Sequence, residues 1–481
     1  MGGSVGIPGL AHVEWGTATA DSLAGTSAPV PGRRRPARSA GTACWPTARY
    51  ADRWSDVVQL LTGSAVSTRR AALGWPAVQP DGPRSWNAAA LSRCDAALDD
   101  LLARGLTPAV TLFHMDLPAW AEAAGGWMAR GTASWFGDFA GAMGDRFGDR
   151  VARWVTMTDL YAPSLADHVA GMVPPGRRSR GLTGLASVHH VLLGYGLATL
   201  ALRERGVRGQ IGTTAVLFGG YPATSDPWDR LAVEEFETLG NGLFLDPLLL
   251  GRHFGPGDGT PWVERAGCVR PGDLEVISAP VDLLGLSWHE ACRIAAPENL
   301  PLLFPAGGGF RALNEVNRLI APLGFVQAPF DDVETNRFGW PIIPEGLADA
   351  LASLHGRYGA ALPPLHIIDN GMGDLHLGDD ADDLDRYRLL LQRRLSWLAP
   401  AVADGVDIRW YEYWSVLDNL SWKAAYARLY QRSVCSGDAE GLPAAPREWA
   451  GPAAVDLLAP PPLPAGLSAA RGLASLRLHH A

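Results

Sequence analysis

Short β-branched or apolar runs recur along this chain, each separated from the next by a polar or glycine-containing loop and a stretch with helical spacing. The runs are Thr107 to Leu112, Val151 to Met157, Gln210 to Val216, Asp282 to Ser287, Leu365 to Ile368 and Asp407 to Trp410. Amphipathic helices are expected over Ala88 to Arg104 and Ala133 to Phe147, and a loop over His114 to Gly126. Strands that alternate with helices form parallel sheets, because a parallel pair needs a crossover long enough to hold a helix. So many units in one chain predict an α/β fold of one kind, a single (β/α)8 TIM barrel.

Length does not contradict this. The 481 residues would divide into about three average domains, yet α/β barrels run long as single units. One barrel over residues 1–458 is expected, followed by a tail over 459–481 that opens on a proline-rich stop. The segment Gly25 to Ala43, rich in Gly, Pro, Ser and Arg, reads as a solvated loop.

Composition narrows the partners. Lys and Arg total 41 against 50 for Asp and Glu, a net charge of -9, and the run Arg33 to Arg35 with Arg38 is too short to form a basic face. Nucleic acid and anionic membrane are therefore poor partners, and a small molecule is the expected one. Cys44, Cys94, Cys268, Cys292 and Cys435 are scattered, odd in number and without a CxxC spacing, which predicts reduced thiols and no metal site. No 18 apolar residues run uninterrupted and the first ten residues lack the pattern of a leader, so a soluble cytoplasmic protein is expected. No cofactor motif stands out, and nothing in the sequence fixes the oligomeric state.

In a barrel of this kind, function sits beyond the C-terminal ends of the strands. The positions there are Trp15 in the first unit, Arg70 and Trp75 in the second, His114 and Asp116 in the third and Thr158 and Asp159 in the fourth. Ser287 to Glu290 follow the sixth strand, Asp369 and Asn370 the seventh, and Trp414 to Trp422 the eighth. Asp159 and Asp369 would then face each other across the mouth. Two carboxylates flanking a pocket suit glycosidic cleavage, in which one protonates the leaving oxygen and the other attacks the anomeric carbon or activates water. The plainer alternatives are a helix N-cap for Asp159 and a turn residue for Asp369.

Ten strings sharpen the choice: WGTAT at Trp15 to Thr19, GWPAVQPDG at Gly74 to Gly82, HMDLP at His114 to Pro118, GGW at Gly125 to Trp127 and FGDRVARWVTM at Phe147 to Met157 come first. FLDP at Phe244 to Pro247, DLLGL at Asp282 to Leu286, GWPIIPEGL at Gly339 to Leu347, DNG at Asp369 to Gly371 and WSVLDNLSW at Trp414 to Trp422 follow. In this order they resemble the family 1 glycoside hydrolases, the β-glucosidase family, over Glu14 to about Arg432. The resemblance implies a (β/α)8 barrel with retaining chemistry, and the site roles that follow are what it implies.

At the family's catalytic positions the chain departs from the pattern. The acid/base string Thr-Leu-Asn-Glu-Pro appears as Thr156 to Leu160 with Asp159, and the nucleophile string Ile-Thr-Glu-Asn-Gly as Ile367 to Gly371 with Asp369. Each Glu-to-Asp change draws a carboxylate back by about 1.5 Å, one C–C bond. Two such retractions widen a retaining gap of about 5–5.5 Å toward the roughly 6.5–9.5 Å that admits a water. The family's sugar contacts change too: Leu23 stands for a Gln, Thr158 for the Asn before the acid/base, and Met115 for the Trp after His114. Ser287, Trp288 and His289 replace an Asn-Tyr-Tyr string, and Ser421 replaces the Glu before Trp422. His114, Trp414, Trp422 and Arg70 are retained, Arg70 matching the arginine beside the nucleophile.

The expected enzyme acts at the glycosidic bond of a deoxysugar or hydrophobic glycoside, by hydrolysis or transfer, in bacterial secondary metabolism. Asp369 is its nucleophile or charge stabiliser, Asp159 its acid/base, and Arg70 and His289 tune Asp369. His114, Met115, Thr158, Leu23, Ser287, Trp288, Trp414, Ser421 and Trp422 line the substrate site. Two alternatives remain: a barrel repurposed for cyclisation or dehydration of a metabolite, and a non-catalytic ligand-binding barrel.

Overall fold

The computed structural model describes residues 9–23, 54, 58, 61–62, 66–169, 181–255, 261–299, 317, 320–330, 332–334, 341–370 and 393–414. The expected loop over 25–43 and the tail over 459–481 lie outside them. Eight parallel strands close into a barrel: β1 (Glu14–Ser22), β2 (Thr68–Ala72), β3 (Thr107–Phe113), β4 (Arg153–Met157), β5 (Gln210–Val216), β6 (Leu283–Ser287), β7 (Leu365–Asn370) and β8 (Ile408–Trp414). Their order around the barrel follows the sequence, and β1 closes it by pairing with both β2 and β8. The single (β/α)8 fold expected from the strand and helix alternation is therefore observed. One expected strand is longer than the sequence suggested, since β8 runs on from Trp410 to Trp414 through the charged Glu412.

The helices form as their spacing requires. The helix Ala88–Ala103 (α1) starts at Asn87, whose side chain accepts a hydrogen bond from the Ala90 N–H, and it buries Ala90, Leu91, Cys94, Leu98 and Leu101 on one face. The helices Arg130–Phe147 (α2) and Leu185–Glu204 (α3) pack against each other over most of their length. By length and composition α3 could cross a membrane, but it is mostly buried within the protein, as a core helix is. Its His189 bonds Asp273 at 2.7 Å and its His190 bonds the Trp127 carbonyl at 3.0 Å, which assigns both rings to packing between elements.

Two apolar clusters lie between the barrel and its helices. Inside the barrel a separate layer of Ala109, Val155, Ile368 and Trp410, each at most 1% exposed, fills the cross-section. Gly16 on β1 makes room for it, because a Cβ there would lie 2.4 Å from Trp410 Nε1. Below this layer Arg153 stacks on the Trp410 ring at 4.9 Å, bonds Thr68 at 3.1 Å and pairs with Glu14, while His366 meets the Trp410 ring edge-on. With the floor filled, the C-terminal ends of the strands are the end at which a barrel of this kind carries its site.

Candidate active site

The layer above Trp410 is polar. Arg70, pointing inward from β2, donates from Nε to both oxygens of Glu412 on β8, at 3.0 and 2.9 Å. Its Nη1 donates to the hydroxyls of Thr111 on β3 at 3.0 Å and of Thr158 beyond β4 at 3.2 Å. Arg70 is 3% and Glu412 0% exposed, so this ion pair is fully withdrawn from water. Thr158, expected from the sequence as a substrate contact beyond the fourth strand, has its hydroxyl engaged by Arg70 and near that of Thr111.

Two residues of the mouth hold a left-handed backbone, Met115 at φ 67° and Asp159 at φ 56°. For a non-glycine residue this costs on the order of 1–2 kcal/mol, and such strain gathers at functional sites. Met115 follows His114 directly beyond β3. The His114 imidazole is held well below its ordinary pKa, at about 4, by burial and then by the Arg70 charge, so it is neutral near pH 7.

Asp159 is fixed by the turn that leaves β4. Its N–H donates to Thr214 Oγ1 at 2.9 Å, and its Oδ1 accepts from the N–H groups of Tyr161 and Ala162, both at 3.1 Å. These bonds hold the turn that enters the wide-turned helix Ala162–Val169 and satisfy its first N–H, a capping contact of the kind the plainer alternative expected. An oxygen bound by two N–H donors is an acceptor, which leaves Oδ2 as the atom that would carry an acid proton.

Asp369 lies within β7 rather than in a turn. The end of that strand is anchored by Asn370, which donates to the Trp288 carbonyl at 2.9 Å and accepts from Tyr411 and Arg394. The side chains of Asp369 and Trp414, and the whole of Ser421 and Trp422, lie outside the described residues.

Four residues named from the sequence pattern have other settings. Leu23, the residue after β1, belongs to the apolar cluster with Leu73 and Trp75. Trp288 is 1% exposed and packs against Gly219, Gly346 and Ala350 on the helix side. Trp15 and Trp75 likewise face the helices, Trp15 against Tyr411 and Trp75 against Phe139. These are corrections: successive strand residues face opposite sides of the barrel, so nearness to a strand end does not place a side chain in the mouth.

Ser287 does face inward, since Leu284 and Leu286 join the outer cluster while a Cβ on Gly285 would meet Ile368, of the inner layer, and Thr214 on the two neighbouring strands. Its hydroxyl is buried and has no hydrogen-bond partner among the described residues. His289 is half-buried just beyond β6. Glu412 is the residue that the motifs missed. The signal for it was present, an acidic residue two positions after the inward Trp410 and set between tyrosines on the strand. Among the described residues no group of three or more His, Cys, Asp or Glu side chains could hold a metal ion.

Comparison with known proteins agrees with this architecture. Residues 38–432 match the family model described as glycosyl hydrolase family 1. The chain is 35% identical over 409 residues to the thermostable β-glucosidase B of Thermobispora bispora, covering 83% of this chain and 78% of that protein. It is 29% identical over 393 residues to a bifunctional β-D-glucosidase/β-D-fucosidase of Bifidobacterium breve, covering 79% of this chain and 81% of that one. Among solved structures, the psychrophilic β-glucosidase of Micrococcus antarcticus superposes with a TM-score of 0.71 at 29% identity, over 86% of this chain and 90% of that chain. A closed parallel barrel, a polar mouth above a filled floor and these similarities lead to one conclusion: the chain belongs to glycosyl hydrolase family 1.

Proposed function

We propose that this protein acts at the β-glycosidic bond of a glycoside whose sugar carries few hydroxyls, with a hydrophobic aglycone, by hydrolysis or by transfer to an acceptor. Asp159 protonates the leaving oxygen through Oδ2, and Asp369 attacks the anomeric carbon or stabilises the positive charge that develops there. In the first case water then releases the sugar, with Asp159 returning as the base. A shortened reach on both sides favours the water-mediated course.

The observation that carries this proposal is what remains in the mouth for a sugar to bind. Thr111 and Thr158 accept from Arg70, His114 is neutral, Met115 is apolar, and the buried Ser287 hydroxyl has no partner among the described residues. A buried group built to bond a hydroxyl penalises a sugar lacking that hydroxyl by about 1–3 kcal/mol. A mouth with few such groups accepts the deoxygenated sugar. The relative from Bifidobacterium breve is named for activity on a β-D-fucoside as well as a β-D-glucoside, and D-fucose is a 6-deoxy sugar. Bacterial secondary metabolism, where deoxysugars decorate apolar aglycones, is the proposed setting.

A panel of aryl β-glycosides bearing glucose, fucose and further deoxygenated sugars tests this. Release of the aryl group is expected to rise as hydroxyls are removed, and to fall at least 100-fold in Asp369→Asn. Release without preference for deoxygenated sugars would remove the substrate assignment. Unchanged release in Asp369→Asn would remove the mechanism. A second reading, a barrel that binds or rearranges a metabolite without cleaving it, is favoured by the capping role of Asp159. A product of unchanged mass, with no sugar released, would support it.

A further inference from the structure

The resemblance to family 1 pairs the barrel arginine with a carboxylate of the seventh strand. Among the described residues, a carboxylate of the eighth strand, Glu412, also takes both of its oxygens to Arg70 Nε. We propose that Glu412 is a positioning residue, which fixes the Arg70 guanidinium from the β8 side and balances its charge, so that the mouth meets its ligand with an oriented, neutralised arginine.

Glu412 is 0% exposed, so it does not reach substrate and acts through Arg70. The orientation it imposes is specific: with Nε turned to β8, Nη1 points to Thr111 and Thr158 on the opposite side, 3.0 and 3.2 Å away. A guanidinium buried to this degree is tolerable only with a carboxylate that matches it, because an unbalanced charge in the interior is strongly disfavoured. The apolar layer beneath, with Trp410 two residues before Glu412 on the same face, denies the pair water from below. The other titratable groups at this end of the barrel are His114 and Asp116 beyond β3, Asp159 beyond β4, His289 and Glu290 beyond β6, and Asp369 on β7. The Arg70 charge bears on His114, after burial. His114 serves as a reporter of that charge.

The experiment is NMR on the full chain, comparing wild type, Glu412→Gln and Glu412→Asp, with folding checked by circular dichroism. Two quantities are read: exchange of the Arg70 Nε–H with solvent, and titration of His114. In Glu412→Gln the Nε–H is expected to exchange at least tenfold faster, and His114 to titrate about one unit lower than in wild type because the arginine charge is no longer balanced. Glu412→Asp restores the charge, and His114 is expected to titrate as in wild type. Either quantity unchanged in folded Glu412→Gln overturns the proposal. If Glu412→Gln does not fold, the double variant Arg70→Met with Glu412→Leu is expected to fold and to raise the His114 midpoint toward its ordinary value. Failure of that double variant to fold, or a His114 midpoint left in place, overturns the proposal equally. Neither quantity depends on turnover, so the outcome stands whether or not glycoside cleavage is found.

Discussion

The barrel holds an arginine–glutamate pair at each end, and the two differ in everything but composition. At the floor Arg153 of β4 pairs with Glu14 of β1, and the Glu14 side chain is 52% exposed. At the mouth Arg70 of β2 pairs with Glu412 of β8, and both are buried. The layer of Ala109, Val155, Ile368 and Trp410 separates them. An exposed pair exchanges solvation for attraction nearly evenly, whereas a buried pair is bound together by the desolvation of its members, so that neither tolerates the loss of the other. The floor pair is an accessory to folding, and the mouth pair is a fixed part of the site.

The largest effect expected from this contrast is at the mouth. Arg70→Met or Glu412→Leu alone should lower unfolding free energy by about 3–5 kcal/mol, and the double replacement should recover most of it. Denaturant unfolding of the three variants measures this, and additive losses would break the distinction between the two pairs. Next comes acid. His366, 1% exposed beneath Trp410, is depressed to a pKa of about 3 by burial and then by the Arg153 charge. A base that takes up its proton more readily when unfolded makes stability fall as pH drops from about 6.5 toward 3, by an amount on the order of a few kcal/mol. His366→Leu should flatten the dependence of Tm on pH across that window, and an unaltered slope would place the acid sensitivity elsewhere.

A smaller effect separates two roles of one residue. Asp159→Ala removes the cap and should cost about 1 kcal/mol of stability along with activity, whereas Asp159→Asn keeps the accepting oxygen and should lose activity alone. Equal stability of the two would deny the cap its importance. Smallest of all, Glu14→Gln should change stability by less than about 1 kcal/mol, most of it screened at high salt. A larger change would mean that the floor pair resembles the mouth pair after all.

The fold was legible in the sequence because strand and helix alternate with the periods that a parallel barrel demands, and Gln210–Val216 was located to the residue. The site was legible only in part. His114, Thr158, Ser287, Arg70 and Asp159 stand where the strand ends would put them, but the direction of a side chain depends on the pleat, which position in a motif does not record. Leu23 and Trp288 were lost for that reason. Glu412 escaped because its partner is 342 residues away, and the pairing exists only once β1 brings β2 and β8 together. The cap at Asp159 was visible as an alternative, since Asp before a helix has that propensity whatever else it does.

The Trp410 layer has a kinetic consequence. A barrel stopped at its base has one doorway, and everything that enters must leave the same way. In glycosidic chemistry carried out above such a stopper, the aglycone has to vacate the opening before water or an acceptor alcohol can reach the anomeric carbon. On the proposed function, water and an acceptor compete for one opening, and Gly16 contributes by giving the indole that floors it the room it needs.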